Sequence, residues 1–373
     1  MLDKVFNYTG RDLIKLSIMI VVATLLFGLP GLIILIFLQW LTNRSYALES
    51  ADKHGISKVA ASRLGGVAIF GSSFVLYLYG SYVGLIDISK LSMTSLIMWV
   101  SVFFCMVLGM IDDFKSDFLS PKVRFICIFI IFSVCFCIGT ELIPQRLGVW
   151  GIDFFLDNAI SGWMLTVIFC VGFVNAMNMA DGANGLIPGT ITIAFIIFYA
   201  EVGFVSYAIF IVTCGLFTIF NVISGRLFLG DAGAYGLGSV LALNGLYLFS
   251  QGIFSASFLA VLFSYPCIDI IATVSRRRLQ RKSILLPDND HLHNRVYFHC
   301  RRWFRSKTLA NSMTGILIVS CSSGVALFGF IQQWWPLTSN HWMGLFLLQC
   351  VLYLMFFFLT GLNRSSNHHV MSQ

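Results

Sequence analysis

Charge is what this 373-residue chain has least of: Asp, Glu, Lys and Arg make up 11% of it, against about 25% in an ordinary soluble domain. Acids are the scarcer sign, 17 against 24 basic residues. Proline is sparse, with seven residues, and the ten cysteines include no CxxC pair. The signatures of a redox motif and of a zinc ribbon are therefore missing, and the cysteines, nearly all inside apolar runs, read as small packing residues. No internal repeat, low-complexity stretch or soluble segment is visible. The first apolar run is longer than a signal-peptide core of about 7–15 residues and lacks a small-residue cleavage site.

Hydrophobic residues fill that space, at 58% of the chain. Leu13 to Leu38 carries Lys15 as its one formal charge, and Phe70 to Leu85, Leu91 to Ile111 and Val123 to Gly139 are similar runs. Each approaches or exceeds the roughly 20 residues that cross a bilayer as a helix. The expected fold is an all-α, polytopic integral membrane protein of about 11 (10–11) transmembrane helices, forming one domain over 1–373. The spans expected are 13–41, 67–85, 91–111, 122–139, 161–179, 187–201, 204–222, 234–250, 253–275, 308–331 and 341–361. Glu201-Val202-Gly203 should be a tight hairpin, since Glu201 is costly at mid-bilayer.

Orientation follows from the basic residues. The loops 42–66, 112–121, 180–186, 223–233 and 276–307 and the tail from 362, with Lys122 and Arg124 beside them, hold nineteen of the 24 Lys and Arg residues. That side is read as cytoplasmic, with the N-terminus outside. The formal charge of +7 is thus a topology signal beside anionic headgroups rather than a nucleic-acid footprint.

In so apolar a chain, clustered polar residues need a reason. The segment from Leu108 to Lys122 contains the adjacent carboxylates Asp112 and Asp113, then Lys115 and Asp117. Two adjacent carboxylates suit Mg²⁺, which takes one or two of them plus substrate phosphates; a solvated helix end neutralised by Lys115 is the alternative. Asn175, Asn178 and Asp181 are spaced three apart, so a helix end presents them on roughly one face, and Gly182, Asn184, Gly185 and Pro188 follow. Asn221 precedes Gly225, Phe228, Gly230, Asp231 and Gly233. Asp231 there is either a helix N-cap or a metal ligand beside free N–H groups suited to phosphate. Finally Asp288, Asp290, His291, His293 and Asn294 form a polar loop, where an extended backbone would put both histidines on one side; two His are too few for a zinc site. All four clusters fall on the side read as cytoplasmic, a set that suits Mg²⁺-dependent chemistry on a polyanion, which is mainly positioning and charge neutralisation.

In this order the motifs resemble the polyprenyl-phosphate N-acetylhexosamine-1-phosphate transferase superfamily, of bacterial glycosyltransferase family 4 type. The match runs from about Lys58 to Arg295 and includes Ser62-Arg63-Leu64-Gly65-Gly66, the aspartate pair, the Asn175 to Leu186 motif, Phe228 to Gly233, Pro266 with Asp269, and the His-x-His loop. The resemblance implies transfer of a sugar-1-phosphate from a UDP-sugar to polyprenyl phosphate, releasing UMP, with Mg²⁺ as cofactor and Mn²⁺ as a possible substitute. It implies catalytic roles for Asp112, Asp113, Asp231, His291 and His293, with Asp231 and the aspartate pair at the metal. It puts Arg63, Lys122, Asn175, Asn178, Asp181, Asn184, Asn221 and Phe228 at the substrates. Expected partners are a UDP-N-acetylhexosamine, undecaprenyl phosphate and the lipid bilayer, with no nucleic acid; a homodimer is compatible with the sequence. The location implied is the bacterial inner membrane, with the site facing the cytoplasm.

Two departures bear on the branch. Asn184 stands where most bacterial members carry Asp, at a position associated with uracil, and Asn294 stands where many carry another histidine. The loop lacks the longer His-rich signature of the peptidoglycan branch, which favours an enzyme that starts a polysaccharide such as O-antigen over a phospho-N-acetylmuramoyl-pentapeptide transferase. A transporter would place its acids near the bilayer midplane, often in inverted repeats. A catalytically inactive scaffold is disfavoured by the intact Asp112, Asp113 and Asp231.

Overall fold

A backbone inside hydrocarbon must satisfy its own N–H and C=O groups, so long apolar runs become helices. A computed structural model shows this outcome. It describes residues 10–42, 48–49, 61–115, 118–148, 151–283, 288 and 290–370. Most of the 42–66 loop, including Lys58, and also Asp117, Pro287 and Asn289 lie outside the described residues.

Among the described residues fifteen α-helices follow one another: α1 (Gly10–Thr42), α2 (Gly65–Tyr82), α3 (Met93–Phe114), α4 (Pro121–Ile138), α5 (Ile152–Leu156), α6 (Ala159–Ala180), α7 (Leu186–Val202), α8 (Val205–Ser224), α9 (Gly230–Ser250), α10 (Ala256–Leu262), α11 (Ser264–Leu279), α12 (Leu292–Trp303), α13 (Lys307–Cys321), α14 (Ser323–Ile331) and α15 (Trp342–Val370). One short antiparallel pair, β1 (Leu48–Glu49) with β2 (Ala61–Ser62), is the described sheet.

The chain is an all-α polytopic membrane protein. Among the described residues seven helices are long and apolar enough to cross a membrane, or up to nine if each of two bent pairs is one span. Each of the eleven expected segments falls on a helix or a bent pair. Two do not meet the measure of length and apolarity: α7 is too short, and α2 is not among the seven. The pairs α10–α11 and α13–α14 bend by 84° and 47°. Their breaks meet, because Ser323 Oγ donates to the Leu262 carbonyl at 2.8 Å and lies 3.2 Å from Thr190 Oγ1. A carbonyl released by one break is thus satisfied by a hydroxyl at the other.

Local rules set the helix ends. Ser92, Ser120, Asn158, Ser255 and Ser306 accept N-terminal backbone N–H groups through their side chains, the usual N-cap chemistry. The Glu201–Gly203 hairpin forms as expected: α7 stops at Val202, and Gly203 takes φ 68°, a left-handed position that suits glycine. Helix α9 runs through the middle, buried on nearly every side. Its neighbours approach closely because glycines face them. A Cβ on Gly66 of α2 would strike the Gly233 backbone, and one on Gly109 of α3 would strike the carbonyl of Asp231. These contacts bring the N-terminus of α9 against the end of α3.

Candidate active site

Two loops distant in sequence build the floor. Residues 62–66 run beside 226–229: Ser62 N donates to Arg226 O at 3.2 Å, Phe228 N to Ser62 O at 2.8 Å, Gly65 N to Phe228 O at 3.0 Å and Gly66 N to Leu229 O at 2.7 Å. Phe228 is therefore fixed through its backbone, directly beside the Arg63 segment. Gly230 follows with φ 74°, and a Cβ there would meet the Arg63 carbonyl and, at 2.7 Å, Asp113 Oδ2. A side chain at this position would displace both motifs.

Asp231 stands in the first turn of α9. The cap that satisfies this helix comes from α3: Asp113 Oδ1 accepts from Asp231 N at 2.9 Å and Oδ2 from Ala232 N at 2.8 Å. A carboxylate at a helix N-terminus satisfies donors that the helix cannot and is favoured by its dipole. Asp113 is 3% exposed, so this pairing also compensates its burial. Gly109, four residues earlier and so on the same face of α3, lets α3 come close enough for the cap.

Asp112 turns the other way. Its Oδ2 accepts from Arg124 Nη1 at 2.6 Å and its Oδ1 from Leu119 N at 3.4 Å. The same Arg124 Nη1 lies 3.8 Å from Asp231 Oδ2. Arg124 therefore stands between the two carboxylates. Tyr235 of α9 stands beside Arg124, and its hydroxyl accepts from Asn178 Nδ2 at 3.3 Å. Lys122, two residues earlier, is exposed.

The remaining amides divide into groups. Asn175 Nδ2 donates to Val171 O of its own helix at 2.7 Å. Asp181 ends α6 and is half-buried. Asn221 is a brace: Oδ1 accepts from Gly185 N at 2.6 Å and Nδ2 donates to Leu227 O at 2.7 Å, tying the Asn184 turn to the segment before α9. Asn184 is buried, with Nδ2 on Ser312 Oγ at 3.2 Å. Its Oδ1 has no hydrogen-bond partner among the described residues.

The histidine loop packs onto the second motif. His291 is the N-cap residue of α12, in extended conformation. The two rings stack, with centroids 5.3 Å apart and planes within 4°. His293 Nδ1 is 2.8 Å from Tyr265 OH, and its Nε2 is the atom a Cβ on Gly182 would strike. His291 Nδ1 is 2.6 Å from Asp269 Oδ2. Burial pulls the His291 pKa down, but the hydrogen bond and charge of Asp269 outweigh it and leave the imidazole above its ordinary value. Burial pushes Asp288 and Asp290 up, yet Asp288 falls below the usual carboxylate range under the Asp290 N–H and Arg276, and Asp290 under Arg295.

Comparison with known proteins places this geometry. Residues 95–249 match glycosyl transferase family 4. "Probable undecaprenyl-phosphate N-acetylglucosaminyl 1-phosphate transferase" of Bacillus subtilis (strain 168) is 30% identical over 293 residues, covering 75% of this chain and 77% of its own. The chain belongs to glycosyl transferase family 4. It is a transferase enzyme. A "Phospho-N-acetylmuramoyl-pentapeptide-transferase" of Gloeothece citriformis (strain PCC 7424) is 25% identical, covering 84% of this chain and 86% of its own. "Undecaprenyl-phosphate alpha-N-acetylglucosaminyl 1-phosphate transferase" of Thermotoga maritima (strain ATCC 43589 / DSM 3109 / JCM 10099 / NBRC 100826 / MSB8) is 27% identical over 169 residues, 45% of this chain and 52% of its own.

Within this glycosyl transferase, the structure joins three sequence motifs directly: the Arg63 segment, the aspartate pair and the Asp231 turn. The Asn178 face reaches them through Tyr235, and the histidines reach the Asp181 turn through Gly182. Sequence reasoning gave no site role to Arg124, Tyr235, Tyr265 or Tyr353. Arg124 had a usable signal, since it is a charge one turn into a span beside Lys122. The tyrosines had none, being ordinary residues inside apolar helices.

Proposed function

We propose that this glycosyl transferase moves an N-acetylhexosamine-1-phosphate from a UDP-sugar to undecaprenyl phosphate, releasing UMP and starting a cell-envelope polysaccharide such as O-antigen. The observation that carries the reading is the convergence of Asp112, Asp113, Asp231 and Arg124 at one helix N-terminus. Positive charge, carboxylates and a helix dipole in one place suit two phosphate-bearing substrates. The setting proposed is the bacterial inner membrane, with one membrane domain, the site facing the cytoplasm and the prenyl tail among the apolar helices.

The donor set fits Mg²⁺. Among the described residues no group of three or more His, Cys, Asp and Glu side chains forms a metal cage, and a hard cation that keeps one or two carboxylates takes the rest of its shell from water and substrate phosphates. Asp231 would hold it, joined by Asp112 once Arg124 moves, with Asp113 fixing Asp231 from behind. When bound, Mg²⁺ neutralises the diphosphate and the departing UMP.

The chain's own residues do the rest. An oxygen of the lipid phosphate attacks the β-phosphorus of the UDP-sugar, a P–O bond forms, and the bond to UMP breaks. Of the aspartate pair, Asp112 is the better placed to accept a proton from the lipid phosphate, because its main partner is a side chain that can swing away. Asp113 has both oxygens on backbone N–H groups. Arg124, released from Asp112, would meet phosphate oxygens, for which a guanidinium is well shaped. Arg63 and Lys122 would add charge. Asn184, with an unpaired buried Oδ1, would accept from the imide N–H of uracil, supported by Asn221, Asp181 and Asn175. The Phe228 backbone holds the floor, and His291 and His293 would contact phosphate or sugar.

A second reading, transfer of phospho-N-acetylmuramoyl-pentapeptide, draws on relatives of that name such as the Gloeothece protein. The donor separates the two. Mass spectrometry of lipid products after incubation with UDP-N-acetylglucosamine or with UDP-N-acetylmuramoyl-pentapeptide should show a diphospho-sugar lipid with the first alone. Product from the second alone would replace the first reading by the second.

A further inference from the structure

The loop that carries His291 is fastened to the last helix. Tyr353 OH of α15 donates to Asp269 Oδ1 at 2.6 Å, while Asp269 Oδ2 faces His291 Nδ1 at 2.6 Å and Leu292 N donates to Oδ1 at 3.4 Å. Thr273 Oγ1 lies 3.4 Å from the same His291 Nδ1. Asp269 is 1% exposed, His291 5% and Tyr353 6%, so the chain of groups is closed to solvent. Arg295 reinforces it: it pairs with both oxygens of Asp290 at 2.8 Å, donates to the Phe357 carbonyl at 2.6 Å and lies 3.6 Å over the Phe357 ring.

A carboxylate only accepts hydrogen bonds, so a short contact to Asp269 requires the proton on Nδ1 of His291. That leaves Nε2 as the working atom, and the partner on one ring nitrogen sets the character of the other. Ionised Asp269 next to the ring favours the imidazolium, in which Nε2–H is a donor fit for an anionic oxygen. The parallel His293 ring limits rotation on one side.

We propose that Asp269 and Tyr353 are positioning residues that fix the tautomer and direction of His291, so that α15 is part of the machinery that orients the catalytic loop. The inference rests on the proposed transferase reading for what His291 touches, but not for the relay itself. Tyr353 acts at one remove. Its O–H draws charge from Asp269, so removing the hydroxyl concentrates the carboxylate's charge on His291. Removing the carboxylate does the opposite. The charged and titratable groups around His291 are Asp269 and Arg276 of α11, Asp288 of the preceding loop, His293 of α12 and, through Asp269, Tyr353 of α15.

The test uses the full-length protein in detergent, with Asp269→Asn and Tyr353→Phe. NMR of ¹³Cε1-histidine, assigned with His291→Gln, reads the titration of His291 without any turnover. UMP release across pH reads its effect on the reaction. Expected is a lower His291 midpoint in Asp269→Asn and a higher one in Tyr353→Phe, with the basic limb of kcat/KM moving the same way in each. Loss in kcat/KM for Asp269→Asn should be about 10- to 100-fold, the scale seen for carboxylates that orient a metal-ligating imidazole. A residue that served packing alone would leave both midpoints in place. Unchanged midpoints, or shifts of both variants in one direction, overturn the relay. If Asp269→Asn does not fold, the nearly isosteric Tyr353→Phe decides by itself. Absence of UMP release from the wild type would count against the transferase reading, while the NMR titration would still decide the relay.

Discussion

Asp113 holds Asp231 by its backbone: the Asp231 N–H donates to Asp113 Oδ1 at 2.9 Å across the junction of α3 and α9. One member of the aspartate pair therefore sets where the residue proposed for the metal stands. Asp113→Ala should lower stability by about 1–2 kcal/mol through loss of the cap and abolish UMP release. Asp231→Ala should abolish release while the melting temperature stays near wild type. Thermal unfolding in detergent beside the activity assay checks both. Equal destabilisation by the two substitutions would count against the division of roles.

Arg124 occupies the space between Asp112 and Asp231, with Nη1 at 2.6 and 3.8 Å from them. A divalent cation and the guanidinium compete for that space. Arg124→Gln should therefore tighten Mn²⁺ binding to substrate-free protein, read by EPR, yet reduce kcat/KM about 100-fold through loss of a charge aimed at phosphate. Lys122→Ala, at an exposed position, should cost much less. Weaker Mn²⁺ binding by Arg124→Gln would show that the arginine supports the cation site instead of competing for it.

Gly109 and Gly182 have no room for a methyl group. Gly109→Ala would drive a Cβ into the Asp231 carbonyl, and Gly182→Ala would drive one into His293 Nε2. Overpacking of this kind costs about 1–3 kcal/mol. The expected difference is in kind. Gly109→Ala meets backbone, so it should lower the melting temperature and disturb the α9 cap. Gly182→Ala meets a side chain, so it should change KM with a smaller loss of stability. Steady-state kinetics with thermal unfolding separates them.

The histidine loop should hold best in a mildly acidic window. The His291 pKa is raised in the folded protein, so its contribution is full below an unfolded value of about 6.5 and is lost as pH rises through the folded value. Asp288 and Asp290 are lowered. Their contribution is full above an unfolded value of about 3.9 and is lost as pH falls through the folded values. The melting-temperature advantage of wild type over His291→Gln should thus be full below about pH 6.5 and shrink at higher pH, while the Asp288 and Asp290 contributions, shared by both proteins, should be lost together at acid pH. A constant or growing advantage toward alkaline pH would contradict this.

Hydropathy made the all-α membrane class legible, because backbone satisfaction in lipid leaves few alternatives. The motifs were legible for the same reason: Asp112, Asp113 and Asp231 stand out where burying a charge is costly. Their partners were not. Nothing in the spacing of Asp112 and Asp113 says that one faces Arg124 and the other caps a helix 118 residues on. That division depends on the rotation of α3 and on Gly109 meeting α9. Asn221 read as a pocket residue, yet both its side-chain polar atoms hold backbone. The breaks within α10–α11 and α13–α14 were not read from the sequence, although Pro266 and Gly324 lie within three residues of Phe263 and Ser322 and are the signals that mark them.

The most direct test of the central claim is UMP release by the purified protein from a panel of UDP-sugars, with undecaprenyl phosphate and Mg²⁺, beside EDTA and Asp231→Ala controls. Release is expected from an N-acetylhexosamine donor, should need both the lipid phosphate and the metal, and should disappear in Asp231→Ala. Release that persists in EDTA or in Asp231→Ala, or that does not need the lipid phosphate, would contradict that claim.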